Sequence, residues 1–195
     1  PYMGSSTIKL GFSINKLTNS KEILQKISQN SMVFPRFKNN GEMGFIALQR
    51  KHYPNYGYLV ARAIDVNDII KYKFDLNKDL ISKIDVSYNY DYADGKTLNT
   101  TDSKAMTQIE LDWNGINNVE DSYLNYQADY INDEASAIEL RDMIWYDRKA
   151  KHLQIELTLP LSYLDLEIGG LCKFPNELID GIKAHGINYT VFDNY

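Results

Sequence analysis

A chain of 195 residues, 44% hydrophobic and 24% charged, has the balance of an ordinary globular protein and can bury a core as one domain or two. Its longest apolar runs, Gly44–Leu48 and Gly57–Ala61, fall far short of the roughly 20 residues a membrane helix needs, and no basic-plus-apolar leader opens the sequence. A net charge of -5 without any Lys/Arg block argues against a surface built to track phosphates, so no nucleic-acid partner is expected.

In chain order, Asn19 to Asn30 reads as a short helix: Asn19 is a good N-cap, Glu22 follows three residues on, and Ile23, Leu24 and Ile27 form one apolar stripe. Met32–Phe37 and Glu42–Arg50 read as two strands of a hairpin, with Asn40 and Gly41 able to supply the positive φ of its turn. His52–Gly57 reads as a turn before the apolar stretch Tyr58–Ile64, and Asp65–Ile70 as a short connection. From Ile84 to Tyr92 the even positions are apolar or aromatic and the odd ones polar, which predicts a half-buried strand with one solvated face.

Asp94-Gly95 and the polar residues through Ser103 read as a turn or loop, and Ala105–Trp113 as a resumed strand. The polar loop Asn114–Asp121 offers a boundary between a helix-and-hairpin module, 1–114, and a helix followed by barrel-like strands, 115–195. A second helix is predicted from Asp133 to Arg148, capped by Asn132, with Ala137, Leu140, Ile144 and Trp145 on its buried side. His152–Pro160 alternates Leu153, Ile155, Leu157 and Leu159 with polar residues and reads as a strand packed under that helix. Leu171–Phe174, Gly181–Ala184 and Ile187–Phe192 are further strand-like pieces. The fold class expected is α+β, with predominantly antiparallel, barrel-like strands and two short helices.

The chemistry-bearing residues are sparse. His52, His152 and His185 stand apart with no H-x-x-x-H or H-E-x-x-H spacing, and no nucleophile elbow, Walker loop or dinucleotide fingerprint occurs. Cys172 is the only cysteine, which excludes an intrachain disulfide, and it reads as a small core residue. Glu110 and Asp112, two apart beside Trp113, would lie about 6–7 Å apart on a strand face, where paired carboxylates can cleave glycosidic bonds. A solvated strand face is the better reading of them. Asp129, Asp133 and Glu134 read as helix N-terminal charge and not as a calcium loop. No enzymatic activity, cofactor or metal is therefore expected.

Tyrosine is abundant, 15 against 7 Phe and 2 Trp, and suits partly buried strands and subunit interfaces. Tyr88, Tyr90 and Tyr92, on one face of their predicted strand, are the candidate interface residues.

Asn132 to Tyr189 resembles the tail hub or tail-tip (baseplate hub) proteins of long-tailed bacteriophages and related injection systems. The residues that carry the resemblance are Glu134-Ala135, Ile138, Leu140, Arg141 and Asp142 on the helix, the alternating Leu153–Leu159, and the turn Leu164-Asp165-Leu166-Glu167-Ile168-Gly169. Gly170 stands where that family usually has Asp, and Val86, Tyr88 and Tyr90 are similar to a Val-x-Tyr-x-Tyr strand of the same proteins. The resemblance implies a virion structural protein, assembled in the host cytoplasm. It implies a trimeric ring at the end of the tail tube, whose partners are copies of itself, the tube and distal fibre or spike proteins. A carbohydrate-binding or cell-wall-degrading tail module is the alternative, motivated by the tyrosines, Trp113 and the Glu110/Asp112 pair. Such hubs are usually longer, and Pro1 fits both a processed start and a piece of a longer polypeptide.

Overall fold

The computed structural model describes residues 8–14, 17–38, 40–47, 62–76, 79–166, 171–173 and 188–190. In chain order its elements are α1 (Ser20–Ser31), β1 (Val33–Phe37), β2 (Met43–Ala47), β3 (Arg62–Ala63), β4 (Lys71–Leu76), β5 (Lys83–Asp91), β6 (Lys96–Thr100), β7 (Lys104–Ala105), α2 (Gln108–Asn114), β8 (Tyr123–Ala128), α3 (Glu134–Arg148), β9 (Leu153–Thr158), β10 (Leu171–Lys173) and β11 (Asn188–Thr190). The fold is α+β. Its strands form small, mostly antiparallel sheets, none of which closes into a barrel among the described residues, and α2 is a third helix beyond the two expected. His52–Gly57, Gly181–Ala184, most of Tyr58–Ile64, and residues 167–169 of the Leu164–Gly169 turn lie outside the described residues.

The chain divides into two compact units, one of residues 1–34 and 79–151, the other of 35–78 and 152–195. Asn114–Asp121, where the sequence suggested a boundary, falls inside the first unit. The reason is a long-range pairing: β8, which follows that loop, lies parallel to β5, with Lys83 opposite Tyr123 and Tyr88 opposite Ala128.

In the first unit β5 is flanked by β6 and β7 on one edge, both antiparallel, and by β8 on the other. Ile84, Val86 and Tyr88 on β5 join Ala137, Leu140, Ile144 and Trp145 of α3 in one core. α3 thus buries the side its periodicity predicted, but against β5; the expected partner, Leu153–Thr158, pairs with β4 in the other unit. Burying side chains of this size stabilises by about 1.5–3 kcal/mol each before the entropy of ordering them is counted. α3 is capped by Asp133, whose carboxylate accepts from the Ser136 amide at 3.0 Å, rather than by Asn132. The Asn132 amide instead donates to the Gly11 carbonyl and holds the N-terminal strand of chain against the unit.

Two predicted features of this unit are corrected. Ala105–Trp113 is not a strand beyond Ala105: α2 occupies its second half, because Thr107 and Glu110 form a reciprocal capping box and Gly115 closes the helix at φ 71. Likewise Lys96–Thr100, expected in a loop, pairs with β5 across the turn that the Asp91 side chain and Gly95 (φ 70) close.

The second unit is built on the β4–β9 ribbon, the β1–β2 ribbon that begins at the unit boundary, and a three-stranded sheet in which β10 lies between β11 and β3. The β1–β2 turn follows expectation, with Gly41 at φ 83 and its amide donating to the Lys38 carbonyl. Cys172 is buried beside Ile64 and Tyr163 in a small core, and burial pushes its thiol pKa up. The Tyr163 hydroxyl accepts from the Asp65 amide at 3.0 Å and donates to Asp68 at 2.7 Å, fixing the 3-10 turn Val66–Asp68 on that core.

Candidate interaction surface

In the second unit, ribbon β4–β9 carries an open apolar face. Its register sets Tyr72 opposite Leu157, Phe74 opposite Ile155 and Leu76 opposite Leu153. Directly opposed residues share a face of the pleat, so these six apolar side chains lie on one side and Lys71, Lys73, Asp75, Gln154, Glu156 and Thr158 on the other. Leu157 turns into the small core with Tyr163 and Cys172. On β4, in contrast, Tyr72 is 61% exposed, Phe74 37% and Leu76 49%, with Tyr72 and Phe74 rings 5.3 Å apart.

Strand β4 is exposed at every one of its six positions, and among the described residues β9 is its only strand neighbour. A strand open on a face and along an edge offers both apolar area and unpaired backbone donors and acceptors, the two ingredients of strand-mediated association. In the same unit Phe37, Met43 and Phe45 of the β1–β2 ribbon are exposed as well.

The first unit presents a different surface. Ile109 and Trp113, four residues apart on α2 and so on one helix face, are 73% and 87% exposed. The outer face of its sheet is polar and internally bonded. The Asp85 carboxylate, buried in spite of its charge, accepts from the Tyr123 hydroxyl at 2.6 Å and from the Asn125 amide. The hydrogen bond to Asp85 raises the Tyr123 pKa. Asn125 in turn donates to Ser87 at 3.1 Å. The predicted solvated face of Ile84–Tyr92 is therefore covered at Asp85 and Ser87, because β8 lays its own polar side chains beside them.

The three candidate interface tyrosines differ in exposure. Tyr88 is buried in the first unit's core, Tyr90 is half-buried, and Tyr92, beyond the end of the strand, is exposed and meets Tyr90 edge-on at 5.1 Å. Asn89, at φ 61, breaks the regular pleat between Tyr88 and Tyr90.

Glu110 and Asp112 are not on a strand, and their separation by two helical residues places them about 200° apart around α2. The Glu110 carboxylate accepts from the Thr107 amide at 2.9 Å and hydroxyl at 3.0 Å; these bonds, with Lys149 3.8 Å away, hold its pKa below the ordinary value. Asp112 accepts from Gln108 at 2.8 Å. Helix capping thus engages Glu110, and an i, i+4 hydrogen bond from Gln108 engages Asp112. Asp129 pairs with Lys26 at 3.2 Å, and no cluster of three metal-ligating side chains occurs among the described residues. No described helix is long and apolar enough to cross a membrane.

Arg141 and Asp142, two of the residues in the hub-like pattern, have a structural task. Arg141 is almost fully buried, donates from one terminal nitrogen to the Asp102 carbonyl at 2.8 Å, and clasps Asp142 with the rest of its fork at 2.9 and 2.7 Å. Lys104 meets the same carboxylate at 2.8 Å. The pair thereby ties α3 to the β6–β7 connection.

Sequence reasoning missed strand β4, although Tyr72, Phe74 and Leu76 alternate with Lys71, Lys73 and Asp75 in the sequence.

No family model matches the sequence, and no curated protein matches it. Among solved structures the chain is similar to prophage tail protein gp18 from Listeria monocytogenes EGD-e, at 14% identity and a TM-score of 0.42 over 88% of this chain. The chain spans 45% of that protein, less than half its length.

Proposed function

We propose that this chain is a non-enzymatic structural subunit of a bacteriophage-like tail, at its hub or tip, and that it works by protein–protein contact. The observation that carries a contact role is the open apolar face of β4: Tyr72, Phe74 and Leu76 stand exposed along an edge strand. A contiguous exposed apolar patch marks an interaction site, whereas singly scattered apolar residues do not. The tail assignment itself comes from the sequence resemblance over Asn132–Tyr189, whose helix-then-strand order corresponds to α3 followed by β9. In this reading copies of the chain form a symmetric ring, a trimer, at the end of the tail tube, and link it to distal fibre or spike proteins within the virion.

Static light scattering at several concentrations, alone and with the tail tube protein, tests the reading. A mass of three chains or a multiple of three, or recruitment to the tube, is expected. A strictly monomeric, well-folded chain that ignores the tube would refute it.

A further inference from the structure

The contact role leaves open how two copies would meet, and the register of β4 answers it. We infer that β4 pairs antiparallel with β4 of a second copy about a two-fold axis through Phe74. This rests on the reading that the chain associates with its own kind, and adds a specific edge, register and symmetry to it.

The inference starts from the alternation of the strand. For two copies to keep their apolar faces on one side, opposed residues must have the same parity, so the axis must pass through a residue and not between two. An axis through Lys73 sets Lys73 against itself, and one through Asp75 sets Asp75 against itself. An axis through Tyr72 sets Lys71 against Lys73. Like charges directly opposed across strands are destabilising. An axis through Phe74 sets Lys73 opposite Asp75 of the second copy and, by symmetry, Asp75 opposite Lys73. It also sets Tyr72 opposite Leu76 twice, with the two Phe74 rings meeting at the centre. An axis through Lys73 also sets Lys71 opposite Asp75 twice, but only the Phe74 axis combines matched faces and two complementary ion pairs with no like charges opposed.

Among the described residues no strand lies along the second edge of β4, and all six of its residues are exposed. Pairing would turn the two-stranded ribbon into a four-stranded sheet, β9-β4-β4-β9, and extend the apolar face continuously across the axis. The contact is isologous and joins copies two by two. In a trimeric ring each copy would keep this edge for a copy outside its own ring.

Charge reversal tests the register. Lys73→Asp sets acidic residues against Asp75 in both pairs, and Asp75→Lys sets lysines against Lys73, so each variant alone should self-associate about tenfold more weakly or worse by sedimentation velocity. An equimolar mixture of the two variants restores both ion pairs across the axis and should recover association as a mixed pair. This recovery cannot come from altered folding, since each chain keeps its own substitution. In a separate arm, Phe74→Cys should form an intermolecular disulfide on mild oxidation, because directly opposed strand residues lie about 4.5–5.5 Å apart at Cα. Cys172 is buried, and the unsubstituted chain serves as the control. Self-association that is unchanged in both single variants and on mixing would overturn the β4 pairing while leaving a ring through another surface standing. A monomeric parent chain at all concentrations would overturn both.

Discussion

Replacing Arg141 by Leu removes a nearly buried guanidinium but keeps most of its apolar stem. In the parent protein Arg141 gives one hydrogen bond to the Asp102 carbonyl and two to Asp142. Without it the Asp102 carbonyl loses that donor, a loss of about 1–3 kcal/mol where water cannot replace it. Breaking a fully buried ion pair costs about 3–5 kcal/mol, but the Asp142 side chain is 21% exposed and keeps Lys104 at 2.8 Å. The expected net loss is therefore at the lower end, about 2–3 kcal/mol. Trp113 and Trp145, the two tryptophans of the chain, both lie in the first unit, and Trp145 is buried. Intrinsic fluorescence in urea thus follows that unit directly. With a denaturant slope of about 1.5 kcal/mol per M, the midpoint should fall by about 1.3–2 M. A fall of less than about 0.5 M would refute the claim that Arg141 fastens α3 to the β6–β7 connection.

Other expectations follow from the same geometry. Gly115→Ala forces a side chain into the left-handed conformation at φ 71 and should destabilise the first unit by about 1 kcal/mol in the same urea assay. Hydrogen bonds from the Ser136 and Thr107 amides hold Asp133 and Glu110 below their ordinary pKa values. Their stabilisation is accordingly complete above the unfolded carboxylate range, near pH 4, and is lost as pH falls through the depressed folded values. Urea midpoints measured from pH 6 to pH 2.5 should fall over that range, and Asp133→Asn, which retains a capping side chain, should flatten the fall. Glu110→Gln combined with Asp112→Asn preserves the capping-box pattern and should leave assembly unchanged; loss of a robust glycan-cleaving activity in that variant would reverse the structural reading of the pair.

The elements legible in the sequence were those whose signal is local. α1 and α3 announce themselves by caps and apolar stripes, and β9 by its run of alternating leucine and isoleucine. α2 misled because Ile109, Leu111 and Trp113 alternate as in a strand. The decisive signals were at its ends, in Thr107, Glu110 and Gly115. The burial of Asp85 and Ser87 was not legible, since the covering strand β8 lies 38 to 40 residues away in the chain. Nor was the division into units, which depends on β5 pairing with β8 and β4 with β9. As for the candidate surface, the alternation of β4 is visible in the sequence, but its exposure is a property of packing. Of the candidate interface tyrosines, Tyr88 packs into the core.

The claim that the chain functions by association through its open ribbon is tested most directly by comparing the mass of the parent chain with that of a Tyr72→Ser, Phe74→Ser, Leu76→Ser variant by size-exclusion light scattering. The three side chains are partly exposed and belong to the second unit, so the variant should keep its circular dichroism spectrum and its first-unit urea midpoint. The account predicts a multimeric parent and a variant of lower mass at equal concentration. A parent that remains monomeric throughout, or a variant with the parent's mass, would contradict it.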